Sequence, residues 1–177
     1  MIHLLFIILI MQYSNQEQVD LFDFKNNTSD QGWIIVNDGV MGGLSEGNFS
    51  VIDGSGVFQG EVSTRNNGGF TMVRNRLKEV KLNNRKSIIL RLKGDGKRYQ
   101  FRVKSDQAQR HAYIYEFETS GDWEEISIPF ENLVPKFRGR SLEMPVYDGE
   151  KLAEIAFLIG NKRDEAFKLQ IQRISVE

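Results

Sequence analysis

The sequence contains no cysteine. That absence removes disulfides, thiolate nucleophiles, zinc–thiolate sites and iron–sulfur ligation together, and it leaves the redox compartment open. Histidine is nearly as scarce, with only His3 and His111. His3 falls in an N-terminal leader, so any Ser-His-Asp relay would rest on His111, which opens a strand-like segment and reads as an ordinary strand-edge residue. No His/Asp/Glu cluster has metal-ligand spacing, and the many carboxylates single out no glycosidase pair. We therefore expect no catalytic residue, no metal and no cofactor. An excess of charge is missing too: 23 Lys and Arg oppose 24 Asp and Glu, for a net charge of -1. Such a chain has no global field for nucleic acid or an acidic membrane. The basic pairs Lys97-Arg98 and Lys162-Arg163 stand beside acidic residues and read as solvated loop charges. No window of helical length carries an apolar stripe of period 3.6, and there is no low-complexity segment or solenoid repeat.

One unbroken apolar run is present, Leu4 to Met11, followed by the polar stretch Gln12 to Gln18. The run is too short to span a membrane and is similar to the apolar core of a secretory signal, although no Lys or Arg precedes it and no Ala-x-Ala site follows. Residues 1–18 are thus read as a signal peptide or an apolar leader. The first implies export, to a periplasmic or membrane-associated location; the second implies the cytoplasm. The remaining residues, 19–177, suit a single domain.

Within that domain the dominant signal is alternation of period two, the mark of half-buried strands. Ile88, Leu90 and Leu92 share one face with Tyr99, Phe101 and Val103 across Gly94-Asp95-Gly96, which reads as a hairpin. Phe49 to Ile52 and Val57 to Val62 flank a second turn, Asp53-Gly54-Ser55-Gly56. Tyr113, Tyr115 and Phe117 alternate, as do Ile126, Ile128 and Phe130. Ile155 to Ile159 suits a strand buried on both sides, preceded by one helical turn at Lys151 to Glu154. Phe167, Leu169 and Ile171 alternate, but Ile174 and Val176 are out of phase, which predicts a bulge near Arg173. Many short strands with Gly-rich turns predict an all-β antiparallel β-sandwich, a jelly roll.

The most distinctive segment is Trp33-Ile34-Ile35-Val36-Asn37-Asp38-Gly39-Val40-Met41-Gly42-Gly43-Leu44-Ser45. A buried-strand run enters a glycine-rich loop in which Asn37 and Asp38 can accept hydrogen bonds from nearby amides. A phosphate cradle is one reading, but no Lys-Ser/Thr and no helix follow. A tight structural corner is the better reading, with positive φ at Gly42 or Gly43 and Met41 as a core plug. A second turn, Asn66-Asn67-Gly68-Gly69, delivers Phe70 to the core. Arg74 sits on a half-buried strand; if buried it needs a carboxylate, for which Asp38 and Asp95 are candidates.

The run Val36 to Ser45 resembles the signature of the complex I intermediate-associated protein 30 family. Further pieces agree in order: Phe58-Gln59-Gly60, Asn67 to Phe70 with Arg74, Gly94-Asp95-Gly96 with Tyr99, Trp123 before Pro129-Phe130, Phe137-Arg138-Gly139-Arg140, and the terminal Phe167 to Ile174. The resemblance covers nearly everything from Leu21 onward and implies a galactose-binding-like jelly roll. It also implies a role like that of the family's mitochondrial members, assembly factors that act as chaperones for respiratory complex I. This chain departs from them as a short, stand-alone domain whose leader lacks arginine, and so is similar to a bacterial-type member.

A protein-binding domain is therefore the leading expectation, with no nucleic acid and no integral membrane span. A carbohydrate-binding module is its alternative, for which Trp33 and Trp123 would be stacking platforms unless they enter the core. Three loops carry the least ordinary chemistry: Asn37 to Ser45, Arg65 to Gly69, and Lys136 to Arg140. In the last, three cations surround Phe137. Arg138 and Arg140 are either rim charges of a protein interface or solvated neighbours of an aromatic anchor.

Overall fold

The computed structural model describes residues 18–27 and 29–177, and the leader, save Gln18, lies outside them. The side chain of Met41, read above as a core plug, is also outside the described residues. Period-two alternation resolves into thirteen strands: β1 (Val19–Asp23), β2 (Trp33–Asn37), β3 (Glu46–Ile52), β4 (Ser55–Val62), β5 (Thr71–Lys81), β6 (Ser87–Lys93), β7 (Arg98–Lys104), β8 (Ala112–Glu118), β9 (Trp123–Pro129), β10 (Val134–Phe137), β11 (Arg140–Ser141), β12 (Lys151–Ile159) and β13 (Glu165–Val176). No α-helix forms among the described residues.

The strands build two antiparallel sheets. The six-stranded sheet runs β3-β4-β13-β6-β9, with β1 on the far part of β13. The seven-stranded sheet runs β11-β10-β8-β7-β12-β5-β2. Between them lies one apolar core that includes Phe58, Leu90, Tyr99, Phe101, Phe157 and Leu169, each at most 1% exposed. This is the expected antiparallel sandwich, in which every strand sends alternate residues inward.

The turn after β3 follows the sequence closely. Ile52 pairs with Ser55, so Asp53 and Gly54 alone close the hairpin, with φ of 48° and 70°. Positive φ at both centres matches the right-handed strand twist, and Asp-Gly supplies it at low cost. The bulge expected near Arg173 is also present, since pairing with β6 slips between Ile171 and Arg173. The slip restores Ile174 and Val176 to the core face.

Four expectations need correction. Phe70 is not delivered to the core: it is half-buried and stands outside the apolar core. β6 and β7 do not form a hairpin: β6 pairs with β13 and β9, whereas β7 pairs with β12 and β8 in the opposite sheet. The Gly94–Lys97 link is an arch between sheets, pinned by Asp95. That carboxylate accepts from Tyr99 Oη at 2.8 Å, the Lys168 amide at 2.9 Å and Lys97 Nζ at 2.7 Å. Lys151 to Glu154 is not a helical turn but the start of β12. Burial of Leu152 and Glu154 between β5 and β7 overrides the local preference. Trp33 to Val36 is not a buried strand: β2 is the sheet edge, and Ile34 is 48% exposed.

Candidate functional site

The Asn37–Ser45 and Arg65–Gly69 loops meet at one buried side chain, Asp38, which is 1% exposed. Its Oδ2 accepts from Ser45 Oγ at 2.6 Å, the Gly69 amide at 2.6 Å and the Phe70 amide at 3.2 Å. Oδ1 accepts from the Ser45 amide at 3.1 Å. Burial raises the Asp38 pKa, but these four donors outweigh it and hold the carboxyl below the usual carboxylate range. Asn37 alongside accepts from Thr71 Oγ1.

The glycines answer to this carboxylate. A Cβ on Gly43 would lie 2.2 Å from Asp38 Oδ1, and one on Gly68 would lie 2.6 Å from Oδ2. Gly42 is needed for its φ of 83°, and Gly69 adopts φ of 134°, whereas a Cβ on Gly39 would meet nothing. Amides that a phosphate cradle would use are therefore already given to Asp38. The segment is a corner that ties β2, β3 and β5 together.

The other sequence candidates disperse. Asp95 holds the arch, far from Arg74 in role: the carboxylate facing Arg74 is Glu154, at 3.5 Å. Trp33 is half-buried and packs on Phe22 and Phe49, with ring centroids 5.0 and 4.9 Å away. Trp123 stays out of the core. It pairs with Lys93 on the outward side of β9, with the Arg91 guanidinium 5.9 Å from its ring centroid. Arg138 and Gly139 form the two-residue turn between β10 and β11, with φ of 48° and 77°. Phe137 there lies under two guanidiniums, Arg110 at 5.1 Å and Arg138 at 5.4 Å, while Arg140 is exposed.

What sequence reading missed is the outward face of the seven-stranded sheet. The registers align Ile34, Arg74, Ala156, Arg102, Ile114 and Val134 in one row across β2, β5, β12, β7, β8 and β10. The next row sets Arg76, Glu154 and Lys104 side by side. A groove of about 760 Å³ opens on this face. Its lining carries six cations (Lys97, Arg98, Arg102, Lys136, Lys162 and Arg163) against two carboxylates, Glu116 and Glu118. Arg98 pairs with Glu118 at 3.0 Å and Lys136 with Glu116 at 2.9 Å. Beside the groove, a smaller depression of about 110 Å³ is floored by Ala112 and Ala156 and ringed by Arg74, Arg102, Lys104, Arg110 and Glu154. Glu154, with its side chain only 7% exposed, draws in Arg74 and Arg76 at 3.5 Å and Lys104 at 3.7 Å. No aromatic ring lines either cavity.

Both basic pairs read as solvated loop charges, Lys97-Arg98 and Lys162-Arg163, line this groove, as do Lys136 and Gly139 of the third distinctive loop. His111, at the start of β8, stacks edge-on against Tyr113 at 5.2 Å. Burial and nearby Lys104 lower its pKa, so the ring is neutral at physiological pH. Among the described residues no group of three or more His, Asp or Glu is placed to hold a metal ion, and no helix is long and apolar enough to cross a membrane.

The family model of Complex I intermediate-associated protein 30 (CIA30) matches residues 22–171, most of the chain and every element from β2 to β12. The chain belongs to the CIA30 family. No curated protein matches this family member. Solved structures share its fold at low identity. A family 11 carbohydrate-binding module from Clostridium thermocellum, in complex with a β-1,3-1,4-mixed-linked tetrasaccharide, is 16% identical with a TM-score of 0.64. The match covers 90% of this chain and 94% of that one. A family 29 carbohydrate-binding module is 11% identical over 90% of this chain and 84% of its own, with a TM-score of 0.55. An agarase is 11% identical with a TM-score of 0.60, over 92% of this chain but only 24% of the enzyme. At these identities the CIA30 member shares their β-sandwich and nothing finer is carried across.

Proposed function

We propose that this CIA30 member is a non-catalytic binding domain that engages a protein partner in an assembly role, through the outward face of its seven-stranded sheet. One observation carries this reading: a groove of about 760 Å³ on the outward face of the seven-stranded sheet is lined by six cations, two carboxylates, side-chain amides and Ile114, without an aromatic ring. Sugar rings are gripped by stacking on aromatic faces beside polar groups, whereas protein surfaces are gripped by charge pairs around aliphatic contacts. The edge-on packing of His111 against Tyr113, with its pKa lowered by burial and nearby Lys104, supports a non-catalytic reading.

The carbohydrate alternative draws support from the shared fold with two families of carbohydrate-binding module. Its tryptophan candidate outside the core is Trp123, on the opposite sheet. A matched pair of variants separates the readings. Gln100→Trp fills the groove from a half-exposed position on β7, and Trp123→Ala strips the opposite face. Native complexes captured with the full chain should be lost with Gln100→Trp and kept with Trp123→Ala, at unchanged melting temperatures. Binding of a mixed-linked glucan that is lost with Trp123→Ala would favour the carbohydrate reading instead.

A further inference from the structure

Arg102 stands at the centre of the outward face, opposite Ala156 on β12 and Ile114 on β8, and it lines both the groove and the smaller depression. Its guanidinium has one weak side-chain contact, with Gln100 Oε1 at 3.5 Å. Around it, Arg74, Arg76 and Lys104 converge on Glu154, yet Arg102 makes no ion pair among the described residues. Burial lowers its pKa while Glu154 pulls the other way, so its surroundings disfavour an uncompensated charge. A guanidinium does not lose its proton in a protein, so an anion added beside Arg102 would relieve the imbalance. The Nε of Arg74, at the same depression, is also buried without an acceptor.

The space beside these donors is small. Ala156 and Ala112 keep the floor low, and the depression of about 110 Å³ matches the bulk-liquid share of only a few water molecules at about 30 Å³ each. That suits one carboxylate head, held in the way that Glu154 is held from within the fold. Beyond it, Met72, Leu158 and Ile114 lie along the face, with Ile34 and Val134 exposed at 48% and 38%. Those aliphatic groups suit the alternate side chains of an extended polypeptide.

We infer that the outward sheet face takes a carboxylate-rich polypeptide segment, with Arg102 the anchor for one carboxylate and Glu154 an internal carboxylate that competes for the neighbouring cations. The inference rests on the sheet-face reading above and adds the chemistry of the partner. Charge complementarity selects the occupant: four cations face a single carboxylate around the depression. The absence of a ring for stacking separates it from an acidic polysaccharide.

Three probes test it on the full chain by titration calorimetry: a peptide of alternating glutamate and leucine, its glutamine counterpart, and oligogalacturonate. The glutamate peptide should bind, weaken as salt rises, and exceed the other two by at least about tenfold, the range of one charge-assisted contact. Arg102→Gln should weaken it by about tenfold, and Glu154→Gln should strengthen it several-fold by removing the competitor. If Arg102→Gln lowers the melting temperature, Lys104→Met carries the same expectation of weakened binding. Equal binding by both peptides, tighter binding of oligogalacturonate, or wild-type affinity in the folded variants would overturn the inference. Should all probes fail while Gln100→Trp still abolishes native capture, the carboxylate inference falls and the sheet-face reading stands. Failure of both removes both.

Discussion

Asp38 shows how one side chain organises the segment that most distinguishes the sequence. An acceptor buried among four donors cannot be truncated without orphaning amides, and each buried unsatisfied group costs about 1–3 kcal/mol. Asp38→Asn turns one oxygen into an amide donor facing donors, so a loss of about 2–4 kcal/mol is expected by denaturant unfolding at neutral pH. The pH dependence has a fixed sign. The folded carboxyl titrates below its unfolded value, so its contribution is complete above about pH 4 and fades as pH falls through the folded pKa. The gap between wild type and Asp38→Asn should therefore narrow below pH 4; a constant gap down to pH 2 would contradict the depressed pKa. Gly42 and Gly43 separate two causes of glycine use. Gly42→Ala meets open space but is strained at φ of 83°, costing about 1–2 kcal/mol. Gly43→Ala drives a Cβ into Asp38 and should cost about 1–3 kcal/mol by overpacking. The double variant Asp38→Ala/Gly43→Ala should then show little further loss from Gly43, as measured in a double-mutant cycle.

At the scale of elements, the sandwich is legible wherever one face of a strand meets one core. The Asp53-Gly54 turn and the slip before Arg173 were both readable because each leaves a mark in the local alternation. The β6–β7 connection was not. Ile88, Leu90 and Leu92 look onto the same core as Tyr99, Phe101 and Val103, whether the two strands pair directly or face one another from opposite sheets. Periodicity reports which side of a strand is buried, and it is blind to the choice of neighbour. The same limit hid β12, where Lys151-Leu152-Ala153-Glu154 has a local preference for helix that its central place in the sheet overrules. If Asp95 pins the inter-sheet arch, Asp95→Ala leaves the buried Tyr99 hydroxyl and the Lys168 amide without their acceptor. A loss of about 2–3 kcal/mol is expected in urea unfolding. Tyr99→Phe, which removes the hydroxyl itself, should cost less, about 1 kcal/mol. Equal losses would mean that Asp95 acts by some route other than these bonds.

For the whole molecule, the two distinctive kinds of loop divide the labour. The Asp38 corner holds β2, β3 and β5 in place, while the Lys136–Arg140 turn and the Gly160–Arg163 link rim the groove of the seven-stranded sheet. No sequence signal announces that groove, because its lining comes from separate strands and loops that only the sheet order brings together. Arg74, Arg102, Lys104 and Lys136 each look like the solvent side of a strand. The convergence of Arg74, Arg76 and Lys104 on Glu154 depends on the register of β5, β12 and β7. A sheet-face site has a clear signature in mass-resolved hydrogen exchange on complex formation, since added protection concentrates where the partner docks. The account predicts protection of β7, β8 and the residue 160–163 link when the partner or the glutamate peptide binds, with β9 and Trp123 unaffected. Protection centred on β9 and β6 of the six-stranded sheet, with β7 and β8 unchanged, would contradict it.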